Sequence, residues 1–278
     1  MSVLVFTVII LIGSYFAGLL GSLTGLGGGV VIIPLLTLLL KVDIHYAIGT
    51  SLVSVIATSS GSAAAYVKEG ITNMRLGMFL EIATTTGALS GAVLAIYIPT
   101  HYIAVLFGVI LIFSAIISLQ KKAERITHQK SYLAKKLKLN SSYPGSDGTV
   151  EYSVTKVGGG FVMMLFAGTI SGLLGIGSGA LKVIAMDSIM RIPFKVSTTT
   201  SNFMIGVTAS ASAVVYLQRG YISPGLTMPV VIGVLFGALT GSKILVHTKS
   251  SDWLRWVFAF VITFLAAQMI YKGISGKI

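Results

Sequence analysis

Apolar segments long enough to enter a bilayer alternate with short polar connections along nearly the whole chain. We count ten such segments, at 3–22, 26–40, 45–67, 76–98, 102–120, 153–172, 176–190, 196–218, 226–247 and 252–271. The segments at 26–40 and 176–190 are the shortest of the ten. At 1.5 Å rise per residue, each would cover only about 22 Å of a hydrocarbon core about 30 Å thick. The pattern predicts an all-α integral membrane protein in which the second and seventh segments are short.

The second five segments repeat the first five. At an offset of 150 positions, and with no gap from 17 to 112, the coincidences fall on Gly25/Gly175, Gly27/Gly177, Gly29/Gly179, Thr50/Thr200, Ser51/Ser201, and "GALSG" (87–91) with "GALTG" (237–241). Chance matches between two apolar sequences would be scattered, whereas these cluster at glycines and small hydroxyl residues. We therefore predict an N-terminal transmembrane repeat over 1–120, a polar loop over 121–152, and a C-terminal transmembrane repeat over 153–278.

The number of crossings decides how the repeats are oriented. Each repeat crosses three or five times, an odd number, so the two should have inverted topology. The net charge of +12 is concentrated in "KKAERITHQKSYLAKKLK" (121–138), which lies beside a spanning segment. Such a position is typical of a cytoplasmic loop rather than of a nucleic-acid-binding surface. We expect the loop to be cytoplasmic, both termini to lie outside, and the N-terminal segment to be a retained helix and not a signal peptide.

Two glycine-rich stretches interrupt this apolar chain. "GLGGG" (25–29) and "GIGSG" (175–179) each precede one of the short segments. Interrupted helices in inverted-repeat transporters direct free backbone N–H groups at a substrate, and glycines let a ligand approach those amides. This predicts one small-anion site formed by Gly27, Gly28, Gly29, Gly177, Ser178 and Gly179. The alternative is close helix packing, which we favour for "GALSG" and "GALTG". Neither break has the context of a P-loop or a dinucleotide fingerprint.

Small polar side chains follow each break at matching depth. They are Thr50, Ser51, Thr200, Ser201 and Asn202. Their hydroxyl and amide groups could hydrogen-bond an anion without the strong charge attraction that would hinder its release. Alternatively, the hydroxyl groups bond to carbonyls of their own helices.

Among the charged residues inside apolar segments, Lys182 and Glu81 are the two candidates for function, because a charge in the membrane must be paired or must face water. Lys182 follows Gly179 by three residues and could offset the charge of an anion. Otherwise it would reach the membrane interface or pair with Asp187. Glu81 is a candidate carrier of a coupling proton, or else a structural hydrogen-bonding residue. Its repeat partner is Val231, so a proton role would be confined to one repeat.

The sequence gives little support to an enzyme. It contains no cysteine, and its four histidines have no metal-ligand spacing with carboxylates, so we expect no metal or other cofactor. An intramembrane enzyme would need an activated nucleophile or a metal. An anion channel remains open as an alternative, because a continuous path could be lined by the same amides.

The paired breaks, the polar loop and the junctions "YVKEGITNMRLGMFL" (66–80) and "YLQRGYISPGLTMPV" (216–230) resemble those of the TauE/SafE sulfite-exporter family, also called TSUP. The resemblance covers almost the whole chain, although Ser178 departs from a pure glycine run. It implies a secondary transporter in the bacterial cytoplasmic (inner) membrane that moves sulfite, a related sulfonate or another small organic anion. Transport would use alternating access between the inverted repeats, and the partners would be the anion and the lipid bilayer.

Overall fold

A computed structural model describes residues 3–24, 28–68, 70–119, 131–145, 148–247 and 252–276. The first repeat contains α1 (Val3–Thr24), α2 (Gly29–Pro34) with a π-helical turn (Leu35–Leu39), α3 (Ile44–Lys68), α4 (Met74–Tyr97) and α5 (Thr100–Leu119). The second contains α7 (Val157–Leu174), α8 (Gly179–Ile184) with a π-helical turn (Ala185–Ile189), α9 (Phe194–Gln218), α10 (Pro224–His247) and α11 (Asp252–Ile274). The predicted helical membrane architecture is confirmed.

Helix length and composition agree with a multi-pass membrane protein. Within the described residues, five helices are long and apolar enough to cross a bilayer. They are Val5–Ser22, Met74–Tyr97, Val157–Leu174, Phe194–Gln218 and Pro224–Gly241. The run Gly29–Leu39 is shorter, as the sequence predicts for the second segment. Many large apolar side chains on these helices face outward, which suits contact with lipid.

The connection between the repeats is more ordered than its composition suggests. It contains a short helix, α6 (Tyr132–Lys136), and an antiparallel hairpin of β1 (Ser141–Gly145) and β2 (Gly148–Tyr152). Asn73 caps α4 by accepting from the Leu76 N–H, and its Nδ2 donates to the Leu139 carbonyl and the Tyr152 hydroxyl, each at 2.9 Å. The hairpin is therefore fixed to the start of α4.

The two repeats exchange helices. Helix α1 packs on α10 of the other repeat, and α7 packs on α4. Equivalent glycines make both approaches possible, because a Cβ on Gly18 would strike the Val234 carbonyl and a Cβ on Gly168 would strike the Thr84 carbonyl. Each residue of one contact is offset by 150 from a residue of the other. The two contacts therefore involve equivalent positions of the two halves of the sequence.

This exchange creates two bundles of mixed origin. In the first bundle, α1, α2, α3 and α10 form a closed ring of neighbours, and in the second bundle α7, α8, α9 and α4 do the same. Helix α3 packs on α9 between the bundles, and α5 packs on α11 beside them. The units of packing therefore differ from the units of sequence.

Candidate functional site

The second glycine-rich break separates α7 from α8. Gly175 and Gly177 have φ values of 68° and 71°, and Ser178 has a φ of 46°. Glycine adopts this left-handed region without the Cβ penalty that Ser178 bears. The backbone thus leaves the helix at Gly175 and re-enters it at Gly179. The predicted interruption is present.

The first break is described only in part. Helix α1 ends at Thr24 and α2 begins at Gly29, while Gly27 lies outside the described residues. Gly28 has an ordinary helical φ of −67°. A Cβ on Gly28 would lie 3.4 Å from Val234 and 3.6 Å from the Ala17 carbonyl, so it would point towards α10 and α1. Gly28 could therefore act through its backbone, and a small side chain there would fit.

The two breaks meet between the bundles. The Ser51 hydroxyl on α3 donates to the Gly175 carbonyl at 2.9 Å. A Cβ on Gly29 would lie 2.5 Å from the Ser51 hydroxyl oxygen and 3.2 Å from the same Gly175 carbonyl. A Cβ on Gly177 would lie 2.8 Å from Ile205 of α9. The glycines therefore allow both breaks to approach the central helices α3 and α9.

The paired polar residues divide into two groups. Ser201 donates to the Gly179 carbonyl at 3.2 Å, so both Ser51 and Ser201 bind carbonyls of the second break. The hydroxyl oxygen of Thr50 lies 3.2 Å from that of Thr227 on α10, and Thr200 accepts from the Asn73 N–H at 3.1 Å. The threonines thus tie α3 and α9 to the exchanged helices. Asn202 is buried on α9.

A small cavity adjoins the second break. Its lining comes from α2, α5 and the start of α8, and includes Val30, Ile110, Ser114, Ile176, Ser178, Gly179, Ala180 and Leu181. It has room for about one water molecule. The Ser178 side chain is 3% exposed, and its hydroxyl has no hydrogen-bond partner. Because an unsatisfied buried hydroxyl is costly, Ser178 is a natural position for a polar ligand.

Lys182 is fully buried in α8, so its ammonium does not reach the interface. Its Nζ donates to the Thr208 hydroxyl on α9 at 2.5 Å. The Thr208 hydroxyl in turn lies 2.6 Å from Glu81 Oε1 on α4. Thr85 also donates to that carboxylate oxygen, at 3.0 Å. The two sequence-predicted charges are therefore joined through a threonine that the sequence analysis did not single out.

A signal for Thr208 was present in the sequence. It follows Ser201 by seven residues, a spacing that places both on one face of a helix. Lys182 lies in the first turn of α8, and its N–H donates to the carbonyl of Ser178, the residue before that helix. A backbone hydrogen bond thus connects the second break to Lys182 of α8, and side-chain hydrogen bonds connect this buried lysine to the buried Glu81 of α4.

An interrupted, helix-exchanged membrane fold with a buried polar region is the architecture of a membrane transporter. Residues 10–269 match the family described as "Sulfite exporter TauE/SafE". The chain belongs to this family, which confirms the resemblance seen in its sequence.

Curated relatives carry transporter names. The chain is 29% identical to "Probable membrane transporter protein YunE" of Bacillus subtilis, over 97% of this chain and 98% of that protein. It is 28% identical to "Probable membrane transporter protein YdhB" of the same organism, over 84% of this chain and 89% of that protein. It is 25% identical to "Probable membrane transporter protein MJ0441" of Methanocaldococcus jannaschii, over 85% of each. No solved structure matches the chain.

Proposed function

We propose that this membrane transporter is a secondary carrier of small sulfur-containing oxyanions, with sulfite as the first candidate and a sulfonate as the second. The observation that carries the proposal is the buried, unpartnered Ser178 hydroxyl of the second break, in a cavity that Val30 of α2 also lines. Glycine-supported backbone and small hydroxyl groups suit an oxyanion, which accepts several hydrogen bonds at once. The family description supplies the sulfur chemistry.

The charge of the region favours an anion of low charge. Lys182 supplies one buried positive charge close to the break, and Glu81 partly offsets it. A single compensated ammonium attracts an anion without holding it so strongly that release becomes slow. We assign the substrate-binding role to Gly27, Gly28, Gly29, Ser51, Gly177, Ser178, Gly179, Lys182, Ser201 and Asn202. We include Thr50 and Thr200 in this set because their hydrogen bonds position α3 and α9.

Movement of the bundles would open the site. The cavity beside Ser178 holds about one water molecule, so it must widen before sulfite fits. The breaks meet where α3 packs on α9, and this is the interface between the two bundles. Rocking of one bundle against the other would open that interface to one side of the membrane at a time. We therefore propose that the moving bodies are the two mixed bundles rather than the two sequence repeats.

Transport by the purified protein in liposomes tests this function. Radiolabelled sulfite, sulfoacetate, taurine, sulfate and acetate would be offered separately to protein-containing and empty vesicles. We expect saturable uptake of sulfite or a sulfonate, and exchange of internal label for external unlabelled anion. Flux that does not saturate would favour an anion channel. Transport of acetate alone would reject the sulfur assignment.

Topology can be tested in the same cysteine-free background. We propose that the repeats are inverted, with the basic loop 121–138 in the cytoplasm and both termini outside. Lys135→Cys should then react with an impermeant thiol reagent only from the cytoplasmic side, and Ser275→Cys only from outside. Reaction of both from one side would reject the inverted arrangement.

A further inference from the structure

Thr208 lies directly between the two buried charges. Its hydroxyl oxygen is 2.5 Å from Lys182 Nζ and 2.6 Å from Glu81 Oε1. A lysine ammonium can only donate, so the Thr208 oxygen must accept from it. The single Thr208 proton is then available to Glu81, which is closer than the competing Met204 carbonyl at 2.9 Å. The three side chains form a chain of hydrogen bonds that runs from the ammonium to the carboxylate.

One oxygen of the Glu81 carboxylate has no hydrogen-bond donor. Glu81 Oε1 accepts from Thr208 and Thr85, whereas Oε2 is buried without a hydrogen-bond partner. A buried carboxylate oxygen without a donor keeps its full capacity as an acceptor. Oε2 is therefore the carboxylate atom that is open to a proton.

The described elements packed around Glu81, Thr208 and Lys182 carry few other charges. Helix α7, which packs on α4, carries no charged residue. Helix α9 carries Lys195 in its first turn, and the π-helical turn after α8 carries Asp187. On α4 itself the other charged residue is Arg75, six positions before Glu81. Lys182 and Glu81 are thus the charged pair that Thr208 connects.

Charge balance links anion binding to protonation. With Lys182 positive and Glu81 negative, the pair is neutral. A singly charged anion that binds the ammonium would leave the region with one excess negative charge in a medium of low dielectric constant. A proton taken from water onto Glu81 Oε2 would restore neutrality, and it would return to water when the anion leaves.

We propose that Thr208 is the positioning residue that couples each singly charged anion at Lys182 to one proton at Glu81. This proposal rests on the proposed function, to which it adds the ratio of protons to anions transported and the residue that fixes this ratio. Thr208 holds the Lys182 ammonium at a fixed distance from the Glu81 carboxylate. Anion binding at the ammonium therefore affects proton uptake at the carboxylate. Without the hydroxyl, Lys182 loses its bond and Glu81 loses one of two donors, so anion binding no longer depends on the proton.

The test compares proton-driven accumulation with simple exchange in liposomes, with sulfite as the probe. Thr208→Val should lose accumulation driven by a pH gradient by roughly tenfold or more, while exchange at equal pH stays within about threefold of wild type. Thr208→Ser keeps the hydroxyl and should keep both activities. The matched control is Thr58→Val at the repeat-equivalent position, whose hydroxyl bonds to the Ser54 and Val55 carbonyls of its own helix. It should retain both activities.

Glu81→Gln provides a second variant. Its side-chain carbonyl can still accept from Thr208, but the amide cannot take up a proton at the pH of the transport assay. It should exchange sulfite without accumulating it. Proton-driven accumulation by Thr208→Val or by Glu81→Gln would overturn the coupling. Wild-type vesicles that exchange sulfite but never accumulate it would also overturn the coupling while leaving the proposed function intact. Wild-type vesicles that transport no anion of the panel would overturn both.

Discussion

The Ser51 hydroxyl donates a 2.9 Å hydrogen bond to the Gly175 carbonyl, across 124 positions of the chain. Ser51 belongs to the first bundle and Gly175 to the break that enters α8 of the second. The Gly175 carbonyl is available to Ser51 because the backbone leaves helix α7 at Gly175, which has a left-handed φ of 68°. One side chain therefore satisfies an orphaned backbone group and joins the two bundles where the breaks meet.

Removal of this hydroxyl should weaken the contact between the bundles. Ser51→Ala leaves the Gly175 carbonyl without its donor, and we expect a loss of about 1–2 kcal/mol in the free energy of unfolding. Thermal unfolding of the detergent-purified protein measures this as a lowered Tm. Ser54→Ala is the matched control, because the Ser54 hydroxyl bonds to the Ser51 carbonyl of its own helix. Equal Tm values for the two variants would show that the bond between bundles contributes nothing.

Distance measurements can decide which bodies move. Ile12 on α1 and Phe236 on α10 belong to one bundle but to different repeats, whereas Ile12 and Ile82 on α4 belong to one repeat but to different bundles. These side chains are 51%, 60% and 62% exposed, so spin labels fit there. Pulsed electron spin resonance with thioether-linked labels should show that saturating sulfite changes the Ile12–Ile82 distance and leaves Ile12–Phe236 constant. The reverse result would mean that the repeats move as units.

The Lys182 ammonium should contribute to anion affinity. Lys182→Ala removes the buried positive charge, and we expect the affinity for sulfite to fall roughly 10- to 150-fold. Lys182→Arg should restore part of it, because guanidinium keeps the charge but is planar and larger. Titration calorimetry on monodisperse protein measures both, with Lys135→Ala as a charge-matched control in the exposed loop. Wild-type affinity in Lys182→Ala would assign the lysine a structural role.

The loop hairpin should lose stability at high pH. Burial raises the pKa of Tyr152 from 10.0 to about 12, against the smaller opposing effect of the hydrogen bond with Asn73. The folded state thus favours the neutral phenol. Its contribution should be complete below pH 10 and decline as the pH rises from 10 to about 12. Tyr152→Phe should flatten this decline in an unfolding series from pH 8 to 12. If the stability of Tyr152→Phe declined with pH as steeply as that of wild type, another titrating group would be the cause.

The membrane helices could be predicted almost completely from the sequence, because each is an apolar run bounded by polar or glycine-rich residues, whereas the short α6 lies in the predicted polar loop. The pairing of helices could not. Gly18 and Gly168 are visible as equivalent glycines, but nothing in their spacing shows that they approach Val234 and Thr84 of the opposite repeat. The repeat equates positions, whereas contacts depend on three-dimensional packing. The hairpin is not predictable either, since its strands are short and Pro144 lies within β1.

The candidate site was predictable in its parts but not in its connections. Lys182 and Glu81 are conspicuous as charges in apolar segments, yet they lie 101 positions apart in the sequence. Thr208, which joins them, is one of many hydroxyl residues on α9, and most of these bond to carbonyls of their own helix. The seven-residue spacing from Ser201 indicates a shared helix face, but only the fold distinguishes Thr208 as the threonine that contacts two charges.

Substitution of Ser178 tests the central claim, that the two breaks form one anion site, most directly. Its buried hydroxyl has no partner, so Ser178→Ala should fold at least as stably as wild type. Ser14→Ala is the matched control, because the Ser14 hydroxyl is also buried and unpartnered but lies on α1, outside the cavity lining. In titration calorimetry, we expect Ser178→Ala to weaken sulfite binding roughly tenfold, while Ser14→Ala binds like wild type. Equal, wild-type affinity for sulfite in both variants would contradict the site.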